Sequence, residues 1–123
     1  MYIDLLIKIK NAEAAGKRGI KSRYTKMDYA IATILQKAGF LKKVEIKGKT
    51  VKKIMEIHFN GERLVEGMRF LSKPSLRRYG GFQDFRKIKG GHGILVVSTP
   101  KGILTGGEAR RAKVGGQLLF EIW

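Results

Sequence analysis

The chain of 123 residues contains no cysteine. That excludes a disulfide framework, a thiol nucleophile and any zinc site built on sulfur, and it fits a reducing compartment. There are two histidines, His58 and His92, and neither stands in a pattern such as H-E-x-x-H that would place it on a metal. Acidic residues are scarce, ten in all and scattered, so the sequence offers no carboxylate cluster for a magnesium ion or an acid–base pair. It also lacks a G-x-S-x-G elbow, a G-x-x-x-x-G-K-[ST] loop and a strand-linked G-x-G-x-x-G. No enzyme activity, metal, cofactor or small-molecule substrate is therefore expected. No apolar run approaches the roughly 20 residues that span a bilayer, so no membrane role is expected. The opening segment MYIDLLIKIKNAEAAG lacks a basic start, a long apolar stretch and a small-residue cleavage site, so no secretory leader is expected either.

What the chain has in excess is positive charge. Lysine and arginine number 26, and the net charge is +16. Self-repulsion of that size opposes a compact state unless an anionic partner offsets it, and a phosphate backbone is the commonest such partner. A membrane-binding protein would concentrate its cations on one amphipathic helix or one end. Here residues 1–61 carry +9 and residues 62–123 carry +7, so both halves suit the same kind of partner. A solubilising surface needs only about 2–8 net charges on a small domain. Hydrophobic residues make up 43%, enough for a core.

Residues 3–15 read as a helix, with Leu5, Ile9 and Ala12 at helical spacing and Gly16 and Gly19 breaking it. A short strand near Ile20 follows the basic loop KRGIKSR. The second helix carries the stripe Met27, Ala30, Ile31, Ile34, Leu35 and Ala38. Thr25 and Asp28 have the spacing of a capping box at its start, and Gly39 is placed to cap its end. Val44 and Ile46, then Met55, Ile57 and Phe59, alternate as two strands around a turn at Gly48-Lys49. The second half holds 11 of the 16 glycines, which favours short strands and tight turns. Strands are expected at 68–72, 76–79, 93–99 and 117–123, a helical turn at 83–88, and a short helix at 106–113 opened by the capping-box spacing Thr105 to Glu108.

Three stretches suit nucleic acid. In SKPSLRRYGG (72–81), Lys73, Arg77 and Arg78 surround Tyr79, cations beside an aromatic that can stack on a base. Lys8, Lys10, Asn11, Lys17, Arg18 and Lys26 gather on the first helix, its loop and the start of the second. In GILVVSTPKGILTGGEARR (93–111) a buried-looking strand ends on Ser98 and Thr99. Alternation sends these two side chains to opposite faces, so one hydroxyl can anchor the Pro100-Lys101-Gly102 turn while the other points out. Gly115-Gly116 either leave room for a ligand backbone or cap the short helix. From the residues alone these readings are evenly matched.

The stretch Ser98, Thr99, Gly102, Ile103, Leu104, Thr105, Glu108, Ala109, Arg110, followed by Gly115, Gly116, Leu118 and Trp123, closely resembles the eighth family of small-subunit ribosomal proteins, bacterial type. SKPSLRRY (72–79) and DLLIKIKNA (4–12) are similar to two further motifs of that family, and the likeness covers nearly the whole chain. The resemblance implies an α+β fold, an N-terminal α-β-α-β-β unit (1–63) packed against a C-terminal mostly β unit with short helices (64–123). It implies a non-catalytic constituent of the small ribosomal subunit, in the cytoplasm, that binds a helix in the central domain of 16S-type rRNA beside neighbouring ribosomal proteins. Ser98, Thr99, Lys101, Gly102, Gly115, Gly116, Gln117, Lys73, Arg77 and Tyr79 would form the main contact. Lys8, Asn11 and Lys26 would touch neighbouring rRNA. Repression of its own messenger through the same surface is the alternative role. The chain departs from the family at Pro100, where serine is usual, and at Gln117, where glutamate is usual.

Overall fold

In the computed structural model, residues 2–49, 51–61, 65–73, 75–81, 83, 85 and 93–123 are described. They form α helices and antiparallel sheets in two compact units, Met1–Val65 and Glu66–Trp123.

The first unit runs α1 (Tyr2–Ala14), β1 (Gly19–Arg23), α2 (Lys26–Lys37), β2 (Leu41–Lys47) and β3 (Ile54–Phe59). Its sheet has the order β1-β3-β2 with every pair antiparallel. The helical periodicity is that of burial: Leu5, Leu6, Ile9 and Ala12 on α1 and Ile31, Ala32, Ile34 and Leu35 on α2 are enclosed with Met55, Ile57 and Phe59 of β3. Both helices end in the same way. Gly16 and Gly39 take positive φ, and Lys17 N and Phe40 N reach back to Ala12 O and Leu35 O. At the start of α2 only half of the expected capping box forms. Thr25 Oγ1 accepts from Asp28 N at 3.1 Å, but the Asp28 carboxyl is buried and its Oδ1 has no hydrogen-bond partner. Aspartate is one methylene shorter than the glutamate this motif uses and does not reach back to the cap.

The second unit contains β4 (Met68–Phe70), β5 (Arg78–Gly80), β6 (Ile94–Thr99), β7 (Gly102–Thr105), α3 (Gly106–Arg111) and β8 (Gly116–Ile122). Strand β8 is central: β6 pairs along one edge, and β4 and β5 pair with successive parts of the other. Strand β7, GILT, is not among the strands expected from sequence. It is the return arm of a hairpin whose two-residue loop is Pro100-Lys101, with Thr99 opposite Gly102. Helix α3 is shorter than expected and opens with a complete capping box, Thr105 Oγ1 accepting from Glu108 N and Glu108 Oε1 from Thr105 N. The helical turn expected at 83–88 falls largely outside the described residues. Leu95, Val97, Ala109 and Phe85 form a buried cluster, with Leu104 and Leu118 against it.

Candidate nucleic-acid interface

The strand register of the second unit assembles residues far apart in sequence. Tyr79 of β5 lies opposite Gln117 of β8, and Gln117 lies opposite Ser98 of β6. Directly opposed residues project from the same face of a sheet, so Tyr79, Gln117 and Ser98 form one row. Tyr79 is 68% exposed, while Gln117 and Ser98 are half-buried.

The two hydroxyls at the end of β6 have different roles. Thr99 Oγ1 donates to Gly102 O at 2.8 Å and accepts from Lys101 N at 3.1 Å, locking the hairpin loop. Gly102 takes φ 114°, a conformation that L side chains rarely adopt. The Ser98 hydroxyl makes no hydrogen bond to a described residue and stands in the Tyr79–Gln117 row. Pro100 fits the loop because its fixed φ suits the position and no backbone N–H is demanded of it there.

The glycine pair does not cap the short helix. Helix α3 is capped by Lys113, which takes φ 57° while Val114 N reaches Ala109 O. A Cβ on Gly116 would overlap the Ser98 carbonyl oxygen, and one on Gly115 would lie 2.6 Å from Gly80 O. The two glycines let β8 run between the ends of β5 and β6, so the space a side chain would take is filled by the protein's own backbone.

Lys73, Arg77, Arg78 and Lys101, on the segments that carry or adjoin this row, are all exposed, and no ion pair engages them among the described residues. The placement of Lys73, Arg77 and Arg78 depends on Ser72, a residue to which sequence reasoning gave no role. It is 1% exposed. Its Oγ accepts from Arg78 N at 2.9 Å and donates to Leu118 O, joining both ends of the 73–77 segment to β8. Lys73 and Leu76 close that segment through paired backbone hydrogen bonds of 2.8 and 3.0 Å. A serine that starts a basic, aromatic stretch carries no sequence signal of this task.

In the first unit, Lys8 and Asn11 line one depression along α1 together with Lys17 and Ile20. The Lys8 ammonium donates to Lys21 O at 2.6 Å, which fixes it over the edge of β1. Lys26 is exposed at the first position of α2 and does not line that depression.

The open face of the N-terminal sheet brings together groups that linear spacing keeps apart. Glu45 lies directly opposite Glu56, and His58 follows on the same face of β3, so that ligand atoms of the three lie within 4.8 Å of one another. The carboxylates are already occupied by lysines. Lys47 Nζ lies 2.6 Å from Glu56 and 3.6 Å from Glu45, Lys43 pairs with Glu45, and Lys21 is 3.7 Å from Glu56. Hydrogen bonding from Lys43 holds the Glu45 carboxyl below its ordinary range, and that from Lys47 does the same for Glu56. Among the described residues, no helix is long and apolar enough to cross a membrane.

A family model described as ribosomal protein S8 matches residues 2–123. Among curated relatives, the small ribosomal subunit protein uS8 of Thermoanaerobacter sp. (strain X514) is 40% identical over 124 residues, covering 98% of this chain and 94% of that protein. The uS8 proteins of Persephonella marina and of Nitratidesulfovibrio vulgaris (strain DP4) are 39% and 34% identical, each covering 98% of this chain and 95% and 94% of their own lengths.

Proposed function

The chain belongs to the ribosomal protein S8 family, and on that premise we propose that it binds the central domain of small-subunit rRNA through the Tyr79–Gln117–Ser98 row. Membership makes it a structural, non-enzymatic constituent of the small ribosomal subunit, in the cytoplasm, assembled with rRNA and other ribosomal proteins.

In this reading the C-terminal unit supplies specificity. Ser98 offers a hydroxyl that both donates and accepts, Gln117 an amide with both functions, and Tyr79 a ring face for a base or sugar. Lys73, Arg77 and Lys101 neutralise phosphates around the row, which gives affinity without reading sequence. Gly102, Gly115 and Gly116 contribute through backbone, by letting the strand ends and the hairpin loop meet. Thr99 contributes through the loop it locks. Lys8, Asn11 and Lys26 add contacts from the N-terminal unit. The mechanism is stoichiometric: a rigid strand row holds a distorted RNA helix in the shape that later assembly requires. Glutamine in place of the family's usual glutamate removes a charge that would face phosphate.

The observation that carries this reading is the register, which puts an exposed ring, an amide and an uncommitted hydroxyl from three strands into one row. The test is a binding titration of Ser98→Ala and Thr99→Ala against the central-domain hairpin and a length-matched regular duplex, each at two salt concentrations. Ser98→Ala should weaken hairpin binding by about tenfold, the worth of one or two hydrogen bonds, with an unchanged thermal midpoint. Thr99→Ala should cost about 1 kcal/mol of stability, because it frees two hydrogen bonds of the loop. Neither should alter duplex binding. Wild-type hairpin affinity in Ser98→Ala would remove Ser98 from the contact.

A further inference from the structure

The open face of the first sheet carries two adjacent rows of opposed residues. Lys21, Glu56 and Glu45 form one, and Gly19, His58 and Lys43 form the next. Like charges directly opposite one another on neighbouring strands destabilise a sheet, so Glu45 and Glu56 need a cation between them. Lysine ammoniums fill that need, Lys47 reaching both carboxylates, Lys43 reaching Glu45 and Lys21 reaching Glu56. An ammonium only donates hydrogen bonds and coordinates nothing, so it cannot draw His58 into the cluster as a ligand. The imidazole is exposed and makes no hydrogen bond or ion pair to a described residue.

Two carboxylates and an imidazole are a ligand set for a divalent ion of borderline softness, such as zinc. The ligand atoms of Glu45, Glu56 and His58 lie within 4.8 Å of one another. Ligands about 2.1 Å from a tetrahedral ion stand roughly 3.4 Å apart, so closing the set needs a movement of about an ångström. The exposed imidazole can cover that distance by rotation of its side chain. Gly19 keeps the approach open. A Cβ there would lie 2.5 Å from Ile57 O, so the close pairing of β1 with β3 requires glycine, and the position beside His58 is bare. Glu56 and His58 line an open depression of about 340 Å³ at this point, together with Arg18, Gly19 and Lys21. The side chains of Lys21, Lys43 and Lys47 are each more than half exposed, so their ammoniums return to water at little cost.

We propose that Glu45, Glu56 and His58 form an exchangeable zinc site, in which the ion takes the carboxylates from Lys21, Lys43 and Lys47 and adds the imidazole. A water on the solvent side completes the tetrahedral set. The bound ion braces β2 to β3, and the fold does not depend on it, because the lysines hold the same carboxylates in its absence. The sequence gives no spacing for such a site because its ligands meet only through strand register.

The test is a calorimetric titration of the full-length protein with Zn²⁺, after chelator treatment and removal of the chelator. Wild type should show one saturable site that an excess of Mg²⁺ leaves unchanged, since magnesium prefers oxygen ligands. His58→Ala and His58→Gln should each bind zinc at least tenfold more weakly, with metal-free thermal midpoints matching wild type. His92→Ala, at the chain's other histidine, should bind as wild type does. A Lys43→Gln, Lys47→Gln variant should bind severalfold more tightly, because two ammoniums no longer compete for the carboxylates. That gain is not expected of a histidine that binds zinc alone. Absence of saturable binding, wild-type affinity in both His58 variants, or an equal loss in His92→Ala would overturn the site. Zinc affinity unchanged or weakened in the lysine variant would overturn the exchange on which it depends. The titration contains no RNA, so its outcome does not bear on the Ser98 row.

Discussion

Ser72 holds one small hydroxyl where two strands and a loop converge. Its Oγ accepts from Arg78 N and donates to Leu118 O, and it is almost completely enclosed. Ser72→Ala would leave the partly buried Arg78 N–H and Leu118 carbonyl without that partner, at about 1–2 kcal/mol of stability. Because Arg78 precedes Tyr79, the loss should also move the ring out of the Gln117–Ser98 row. The expected outcome is a lowered denaturation midpoint together with weaker hairpin binding at temperatures where the variant is still folded. If hairpin binding stayed at wild-type strength while the midpoint fell, Ser72 would serve stability alone. The importance of Ser72 is not legible in the sequence, because serine is ordinary in a turn and its burial depends on β8, 46 residues further on. Ser98 and Thr99 were more legible. Alternation along a strand already divides two adjacent hydroxyls between faces, and the structure shows which one the loop takes.

At the scale of elements, sequence spoke most clearly where local chemistry decides the outcome. Gly16 and Gly39 announce the ends of α1 and α2 because the left-handed residue of that motif favours glycine. Helix α3 ends in the same motif on Lys113, which no composition rule would select, and the nearby Gly115-Gly116 attract an assignment that belongs to strand packing. Strand β7 escaped because four residues between a turn and a helix carry too little periodicity to register. Cross-strand rows escaped because register is a tertiary property. One such row, Lys21–Glu56–Glu45 with Lys43 and Lys47 beside it, makes the first sheet sensitive to acid. Both carboxyls are held below their ordinary value of 4.5 by lysine hydrogen bonds. A lowered carboxyl stabilises the fold fully above its unfolded value, and that contribution fades as pH falls through the folded one. Glu13 runs the other way: burial raises its carboxyl, although the Val65 N–H that it accepts opposes the shift, so it favours the fold increasingly as pH falls. A Glu45→Gln, Glu56→Gln variant keeps Glu13 and isolates the row. Its deficit in thermal midpoint against wild type should be largest near pH 6 and shrink between about pH 5 and 3. A deficit that stayed constant over that range would mean that the ion pairs contribute nothing to stability.

At the scale of the molecule the controlling quantity is the charge of +16, shared between residues 1–61 and 62–123. Composition alone indicated a polyanionic partner, because so large an excess is costly in a free protein and useful only against opposite charge. It could not indicate which cations converge. One groove of the first unit is lined by Lys8, Lys21, Arg23, Lys52 and Lys53, from three segments that only the fold brings together. The same charge predicts opposite responses to salt in the free and bound states. In the free chain the cations repel one another, and raising monovalent salt from about 0.02 to 0.3 M shortens the screening length from roughly 20 to 6 Å. The thermal midpoint of free protein should therefore rise over that range. With the central-domain RNA at about a hundred times its dissociation constant, binding adds about 2.7 kcal/mol of stability at low salt. Counterion release then weakens binding as salt rises, so the midpoint of the complex should fall toward that of the free protein. Converging salt curves from scanning calorimetry would identify repulsion among the cations as the cost that RNA offsets. A free-protein midpoint indifferent to salt would instead mean that the fold spaces its cations widely enough for repulsion to be negligible, and that the excess charge acts only on association.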